Sequence, residues 1–205
     1  MKKALDHLKK SDPVMAAIIK RVGPFKMSYR QPVFQMLARA IVFQQLSTKA
    51  ATTIYNRFEE AAGGELTPES ILNLSVGEMR RVGLSKQKIA YIRDLADHTL
   101  EGHLDFAALP SLPDEEIIAR LTAVKGVGVW TAQMFLMFSL KRPNILPTGD
   151  LGIKSAIKRA YKKRYKTKDG YPTAKHIEKI AKGWHPYCSI ASWYLWRSLD
   201  HPAEP

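Results

Sequence analysis

The chain has 205 residues, 45% of them hydrophobic and 25% charged, an ordinary globular composition and too apolar for a disordered basic tail. With 32 Lys and Arg against 19 Asp and Glu it carries a formal charge of +13, which points to a polyanionic partner, nucleic acid before an anionic membrane surface or a ribosome. The longest charge-free stretch, Gly126 to Leu140, is too short for a membrane span, and the opening MKKALDHLKKSDP is broken by charge before any apolar signal region forms. A cytoplasmic location is expected. The single cysteine, Cys188, cannot form an internal disulfide, a four-cysteine zinc site or a cysteine-ligated iron–sulfur cluster.

In chain order the pattern reads as helix after helix. Pro32 to Leu46 places Phe34, Leu37, Ile41 and Val42 at helical spacing, and a second helix runs from the cap Ser47 to the stop Gly63-Gly64. Thr67-Pro-Glu-Ser opens a short helix with Pro68 at its first position, Ser75 to Arg81 forms another, and Ser85 caps a longer one through Leu100. After Asp114 to Leu121 comes the turn VKGVG and a helix over Val129 to Leu140, apolar on every side and therefore buried. Thr148-Gly149-Asp150 opens a helix to about Tyr161, and Thr173 to Lys182 and His185 to Leu199 close the chain. The prolines at 143 and 147 mark the clearest linker. The class is all-α.

Between Ile117 and Lys168 stand twelve cations (Arg120, Lys125, Lys141, Arg142, Lys154, Lys158, Arg159, Lys162, Lys163, Arg164, Lys166 and Lys168) and one acid, Asp150. Cations at a helix end suit its dipole, but a dozen suit a surface that tracks phosphates. Asp150, in front of a helix, reads equally as an N-cap.

In Val124-Lys-Gly126-Val127-Gly128-Val-Trp130-Thr131, two glycines one residue apart join two helices. Glycine admits positive φ and lets backbone N–H groups at the next helix start approach a phosphate oxygen, directly or through a monovalent cation bound by the backbone. No third glycine completes a dinucleotide fingerprint, and no phosphate-loop motif exists in the chain. A helix-hairpin-helix or a plain tight turn remains.

VKGVGVWTA followed by Leu146-Pro-Thr-Gly-Asp150-Leu-Gly-Ile resembles the hairpin and the Gly/Pro-rich loop ending in an aspartate of the helix-hairpin-helix DNA glycosylase superfamily. Ala40-Ile-Val-Phe-Gln-Gln-Leu-Ser-Thr-Lys-Ala and Val82-Gly-Leu-Ser-Lys-Gln-Lys narrow the resemblance to its alkylpurine (3-methyladenine) branch, in a compact form without the amino-terminal β-lobe of the bacterial inducible enzyme. The resemblance implies two helical lobes with a cleft between them: residues 1–30 packing with the carboxy-terminal lobe 146–205, and a lobe 31–145 that carries the hairpin. It implies a monomeric, monofunctional enzyme that turns an alkylated purine out of double-stranded DNA and hydrolyses its N-glycosidic bond. No cofactor and no side-chain metal site are expected. Two other readings share these features: a non-catalytic DNA-structure-binding module and an oxidised-base glycosylase. Trp130, where bifunctional members have a lysine nucleophile, argues against lyase chemistry.

By the same resemblance Asp150 is catalytic, the base pocket is lined by Trp130, Trp196, Met134, Tyr29 and Trp193, and Gln45, with Gln44 beside it, enters the gap left by the flipped base. Lys125, Gly126, Val127, Gly128 and Thr131 of the hairpin, with Ser85, Lys86 and Lys88 of another helix start, are the expected contacts to the DNA backbone. Large aromatics on a helical face are also ordinary core, and paired glutamines an ordinary solvated face.

Overall fold

The computed structural model describes residues 1–31, 33–161 and 165–200, and all regular structure among them is helical. The helices are α1 (Lys2–Ser11), α2 (Pro13–Val22), α3 (Phe34–Phe43), α4 (Thr48–Ala61), α5 (Pro68–Asn73), α6 (Val76–Arg81), α7 (Lys86–Leu100), α8 (Asp114–Ala123), α9 (Val129–Phe138), α10 (Leu151–Tyr161), α11 (Ala174–Ala181) and α12 (Cys188–Asp200). Short 3₁₀ turns lie at Leu109–Ser111 and Lys182–Trp184. No helix among the described residues is long and apolar enough to cross a membrane.

The helix starts follow capping chemistry. Ser47 accepts from the Ala50 N–H and Ser85 from the Lys88 N–H, while Thr67 with Ser70, Ser75 with Glu78 and Thr173 with His176 form reciprocal capping boxes. The ends depart from expectation where backbone geometry intervenes. The helix expected through Leu46 stops at Phe43, where Gln44 leaves helical backbone at ψ 133° and Gln45 follows at a left-handed φ of 57°, and α9 stops at Phe138, shortly before Lys141 at φ 58°. The last helix begins at Cys188 and not at His185. Pro32, expected to open α3, lies outside the described residues.

The chain divides into two compact units, Arg30–Phe135 on the one hand and Met1–Tyr29 with Leu136–Pro205 on the other. The second boundary therefore falls inside α9 and not at the Pro143–Pro147 segment, where the sequence pattern placed it. That segment is pinned to α12: the Ser189 hydroxyl donates to the Arg142 carbonyl at 2.6 Å and accepts from the Ile145 N–H at 2.9 Å, and the Ser189 N–H donates to Pro143 O. Ile145 is buried. A proline-rich stretch tied down in this way is part of a packed unit and no linker.

Within the unit Arg30–Phe135, α3 and α5 pack on α7 and α4 packs on α3. Leu37, Ile41, Phe58, Ile71, Ile92 and Leu95 have no measurable exposure to 1%, each burial contributing about 1.5–3 kcal/mol. The inward stripe of α7 is Ile89, Ile92, Leu95 and Ala96, and Lys88, Tyr91 and Asp94, at spacings of three, run as neighbours from the edge of that stripe.

Within the other unit, α12 packs on α10 and α2, and α1 on α2, around Leu8, Met15, Tyr161, Trp184 and Tyr194. Asp12 caps α2 in this core at 3% exposure, accepting from the Val14 and Met15 N–H groups, the Tyr161 hydroxyl and the Trp184 indole. Four donors compensate the desolvation of that carboxylate. Cys188 is buried and its thiol is pushed up to about 12 by burial, so it packs and does not react.

Candidate functional site

Asp150 lies where the loop 143–149 enters α10. Its N–H donates to Pro147 O, its carbonyl accepts from the Lys154 N–H, and its Oδ1 accepts from the Ile153 N–H at 2.7 Å. This is N-cap geometry. The same Oδ1 also accepts from the Trp196 indole Nε1 at 2.8 Å. The cap and the carboxylate expected at the site are one residue: two N–H donors on one oxygen fix the plane of a half-buried carboxylate.

Trp196, expected in the base pocket, is half-buried beside Asp150. Its N–H holds Asp150, and its ring stacks on Phe138 with centroids 6.0 Å apart at 24°. Gly152 completes the group, since a Cβ there would stand 2.8 Å from Trp196 Cδ1 and 3.0 Å from Asp150 Oδ1. The second glycine of Gly-Asp-Leu-Gly is thus the space in which the aspartate and the indole meet.

Of the other expected pocket residues, Trp130 is 52% and Tyr29 43% exposed, an unusual display of large aromatic surface. The Lys141 ammonium lies 5.4 Å from the Tyr29 ring centroid. Met134 is half-buried, one turn after Trp130 on α9. Trp193 is core: 8% exposed, with its ring 4.7 Å from Phe25 and 4.9 Å from Tyr194. Its bulk goes into packing, which corrects its assignment to the pocket.

The hairpin has the expected shape with a narrower reason for its glycines. Gly126 has φ 80°, and an added Cβ would run into the Tyr91 ring of α7. Gly128 needs no positive φ and a Cβ there meets open space. Val127 is buried, and its N–H donates to Val124 O to close the turn. Thr131 is half-buried in the first turn of α9, where the positive end of the helix dipole lies. The Gly126 carbonyl accepts from Gln44 Nε2 at 2.8 Å, so the Gln44 side chain is engaged with the hairpin while Gln45 is exposed.

The charge map changes most on folding. Lys125 is paired with Asp94, Nζ to Oδ1 at 2.6 Å, and its own N–H donates to Asp94 Oδ2 at 2.8 Å. Burial alone would raise the Asp94 carboxyl, but these bonds from Lys125 outweigh it and hold the group below the usual range. Arg120 pairs with Glu116 at 2.6 Å. The Lys158 ammonium lies over the Tyr171 ring at 3.9 Å and donates to Asp169 O. Lys88, expected to face phosphate, points inward and donates to Val42 O at 2.6 Å and Gln44 O at 2.7 Å; burial lowers its pKa. Ser85 spends its hydroxyl on the α7 cap, whereas Lys86 is exposed. Lys162, Lys163 and Arg164 lie outside the described residues.

Phe138, Gly152, Tyr91 and Asp94 were not legible as site residues. The spacing of Phe138, four after Met134 and eight after Trp130, was the available signal for the first; the rest depend on contacts between segments far apart in sequence. Among the described residues, no three His, Cys, Asp or Glu side chains are grouped so as to hold a metal ion.

Residues 38–186 match the family model of the HhH-GPD superfamily base excision DNA repair proteins. The DNA-3-methyladenine glycosylase 1 of Schizosaccharomyces pombe is 34% identical over 96% of this chain and 86% of its own length. Among solved structures, a DNA-3-methyladenine glycosidase from Bacillus halodurans superposes with a TM-score of 0.86 at 38% identity, covering 95% of this chain and 88% of that one. The Schizosaccharomyces pombe 3-methyladenine DNA glycosylase in complex with abasic DNA superposes with a TM-score of 0.81 at 33% identity, covering 98% and 100%. With its helical fold, its glycine hairpin and its aspartate at the start of α10, the chain belongs to the HhH-GPD superfamily of base excision DNA repair proteins, among relatives that are 3-methyladenine DNA glycosylases.

Proposed function

We propose that this monofunctional glycosylase binds double-stranded DNA, turns an alkylated purine out of the helix and hydrolyses its N-glycosidic bond with Asp150 as the catalytic carboxylate. Breaking the C1′–N bond builds positive charge on the deoxyribose, so a carboxylate oriented before the reaction begins stabilises the transition state more than the ground state. The observation that carries this reading is the double hold on Asp150 Oδ1 by the Ile153 and Trp196 N–H groups, in a space kept open by Gly152. A plain cap needs only the first of these bonds.

An alkylated purine such as 3-methyladenine or 7-methylguanine is cationic. The bonding pair of the C1′–N bond passes to the base and neutralises it, water adds its oxygen to C1′, and the proton that water gives up goes to solvent. No general acid is required. The exposed face of Trp130 favours a cationic base by about 0.5–2 kcal/mol, and the exposed Gln45 in its left-handed turn is suited to the gap that the base leaves. No cofactor enters this scheme, and the active species is a monomer. The test is incubation with methylated duplex DNA and chromatography of the released bases: 3-methyladenine and 7-methylguanine should appear with the wild type and be absent with Asp150→Asn. Equal release by both proteins would remove Asp150 from the mechanism.

A further inference from the structure

Where α3 ends at Phe43, its last carbonyls lose their helical partners. The chain then reverses through Gln45 at φ 57°, a conformation that a residue with a Cβ adopts only when its surroundings impose it, and Leu46 follows at 40% exposure. Lys88 Nζ donates to both Val42 O and Gln44 O, one on each side of the helix end. The Gln44 side chain continues the chain of bonds to Gly126 O of the hairpin. One and two turns along α7, Tyr91 lies under Gly126 and Asp94 holds Lys125 by backbone and side chain. A single side of α7, positions 88, 91 and 94, therefore carries both the turn 44–46 and the hairpin 125–128.

We infer that Lys88 is a positioning residue that holds the turn 44–46 in register with the hairpin, and that it does not bind phosphate. The inference deepens the glycosylase reading and rests on it for the role of Gln45 in the flipped-base gap. Lys88 is half-buried, and two short bonds to carbonyls take two of the three donors of its ammonium and fix its direction. A phosphate-binding lysine would instead be exposed, as Lys86 is.

The full chain and two variants, Lys88→Met and Gln44→Met, decide it, with Lys88→Arg as the conservative variant that restores donors to the two carbonyls. Amide hydrogen exchange of the free proteins over residues 43–47 and 125–128 should quicken about tenfold or more in both methionine variants and return toward wild type in Lys88→Arg. Affinity for a duplex with an abasic-site analogue, measured between 50 and 200 mM salt, should keep the wild-type log–log slope in Lys88→Met. Single-turnover excision, and the fluorescence of 2-aminopurine placed beside the lesion, should fall about tenfold in both. Loss of about 0.9 from the salt slope in Lys88→Met, the signature of one released phosphate contact, or unchanged exchange in the turn, would overturn the inference. If the wild type itself released no base, the glycosylase reading would fail, while the exchange and salt arms would still decide whether Lys88 is a tether.

Discussion

Asp12 and Asp150 are built alike. Each precedes a helix, each accepts backbone N–H groups of the helix's first turn, and each accepts a tryptophan indole N–H, from Trp184 at 2.9 Å and from Trp196 at 2.8 Å. They differ in what surrounds them. Asp12 is 3% exposed and also takes the Tyr161 hydroxyl, with its indole partner fully buried; Asp150 and Trp196 are half-buried, and Gly152 beside them has no Cβ to come between them. The same aspartate–indole pair at a helix start is a buried anchor where the core closes over it and, in the function proposed above, the catalytic carboxylate where the pair stays half-buried.

The two carboxylates should differ most on substitution. Asp150→Asn keeps an oxygen that accepts from both Ile153 and Trp196 but removes the charge, so single-turnover excision should fall by about 10³-fold, with unfolding and DNA affinity close to wild type. Asp12→Ala should do the reverse: the Tyr161 hydroxyl and Trp184 indole lose their buried acceptor, costing about 3–5 kcal/mol in urea unfolding, while excision per folded molecule is unchanged. If the alanine variant unfolded at the wild-type urea midpoint, Asp12 would not be an anchor.

The two indoles should differ in the same sense by a smaller amount. Trp196→Phe loses one hydrogen bond to a charged oxygen, worth about 1.5 kcal/mol, and should lower excision about tenfold with little change in thermal midpoint. Trp184→Phe should lower the thermal midpoint by several degrees, of the order expected for about 1.5 kcal/mol in a chain of this size, without slowing excision. Activity lost equally in both, or in neither, would erase the distinction.

The smallest effect belongs to Asp94, an acid that is neither anchor nor reaction centre. Its folded carboxyl titrates below the ordinary carboxylate range because Lys125 bonds to it, so the stability it contributes is present above about pH 4 and is lost as pH falls through its folded value. Asp94→Asn should lower the thermal midpoint by about 1–2 °C at neutral pH, and the gap to wild type should close as the pH falls below the ordinary carboxylate range. A gap that is constant with pH would mean that the pairing with Lys125 contributes nothing.

The helical class, the capped starts at Ser47, Thr67, Ser75 and Ser85, the hairpin 125–128 and the position of Asp150 were all present in the sequence, because each depends on residues within one or two turns of each other. What the tertiary structure decided involves partners dozens of residues apart. Asp94 stands outside the basic window that runs from Ile117 to Lys168, yet it pairs with Lys125 inside it. Lys88 has the residue type of a phosphate contact and the geometry of a helix-end clamp, since the α3 carbonyls that claim it are more than forty positions away. Trp193 and Trp196 are neighbours on one helix, and only packing sends the first into the core against Phe25 and the second to Asp150. Local chemistry is written in adjacent residues; which side chain is solvated, paired or spent on packing is set by surfaces that exist only after folding.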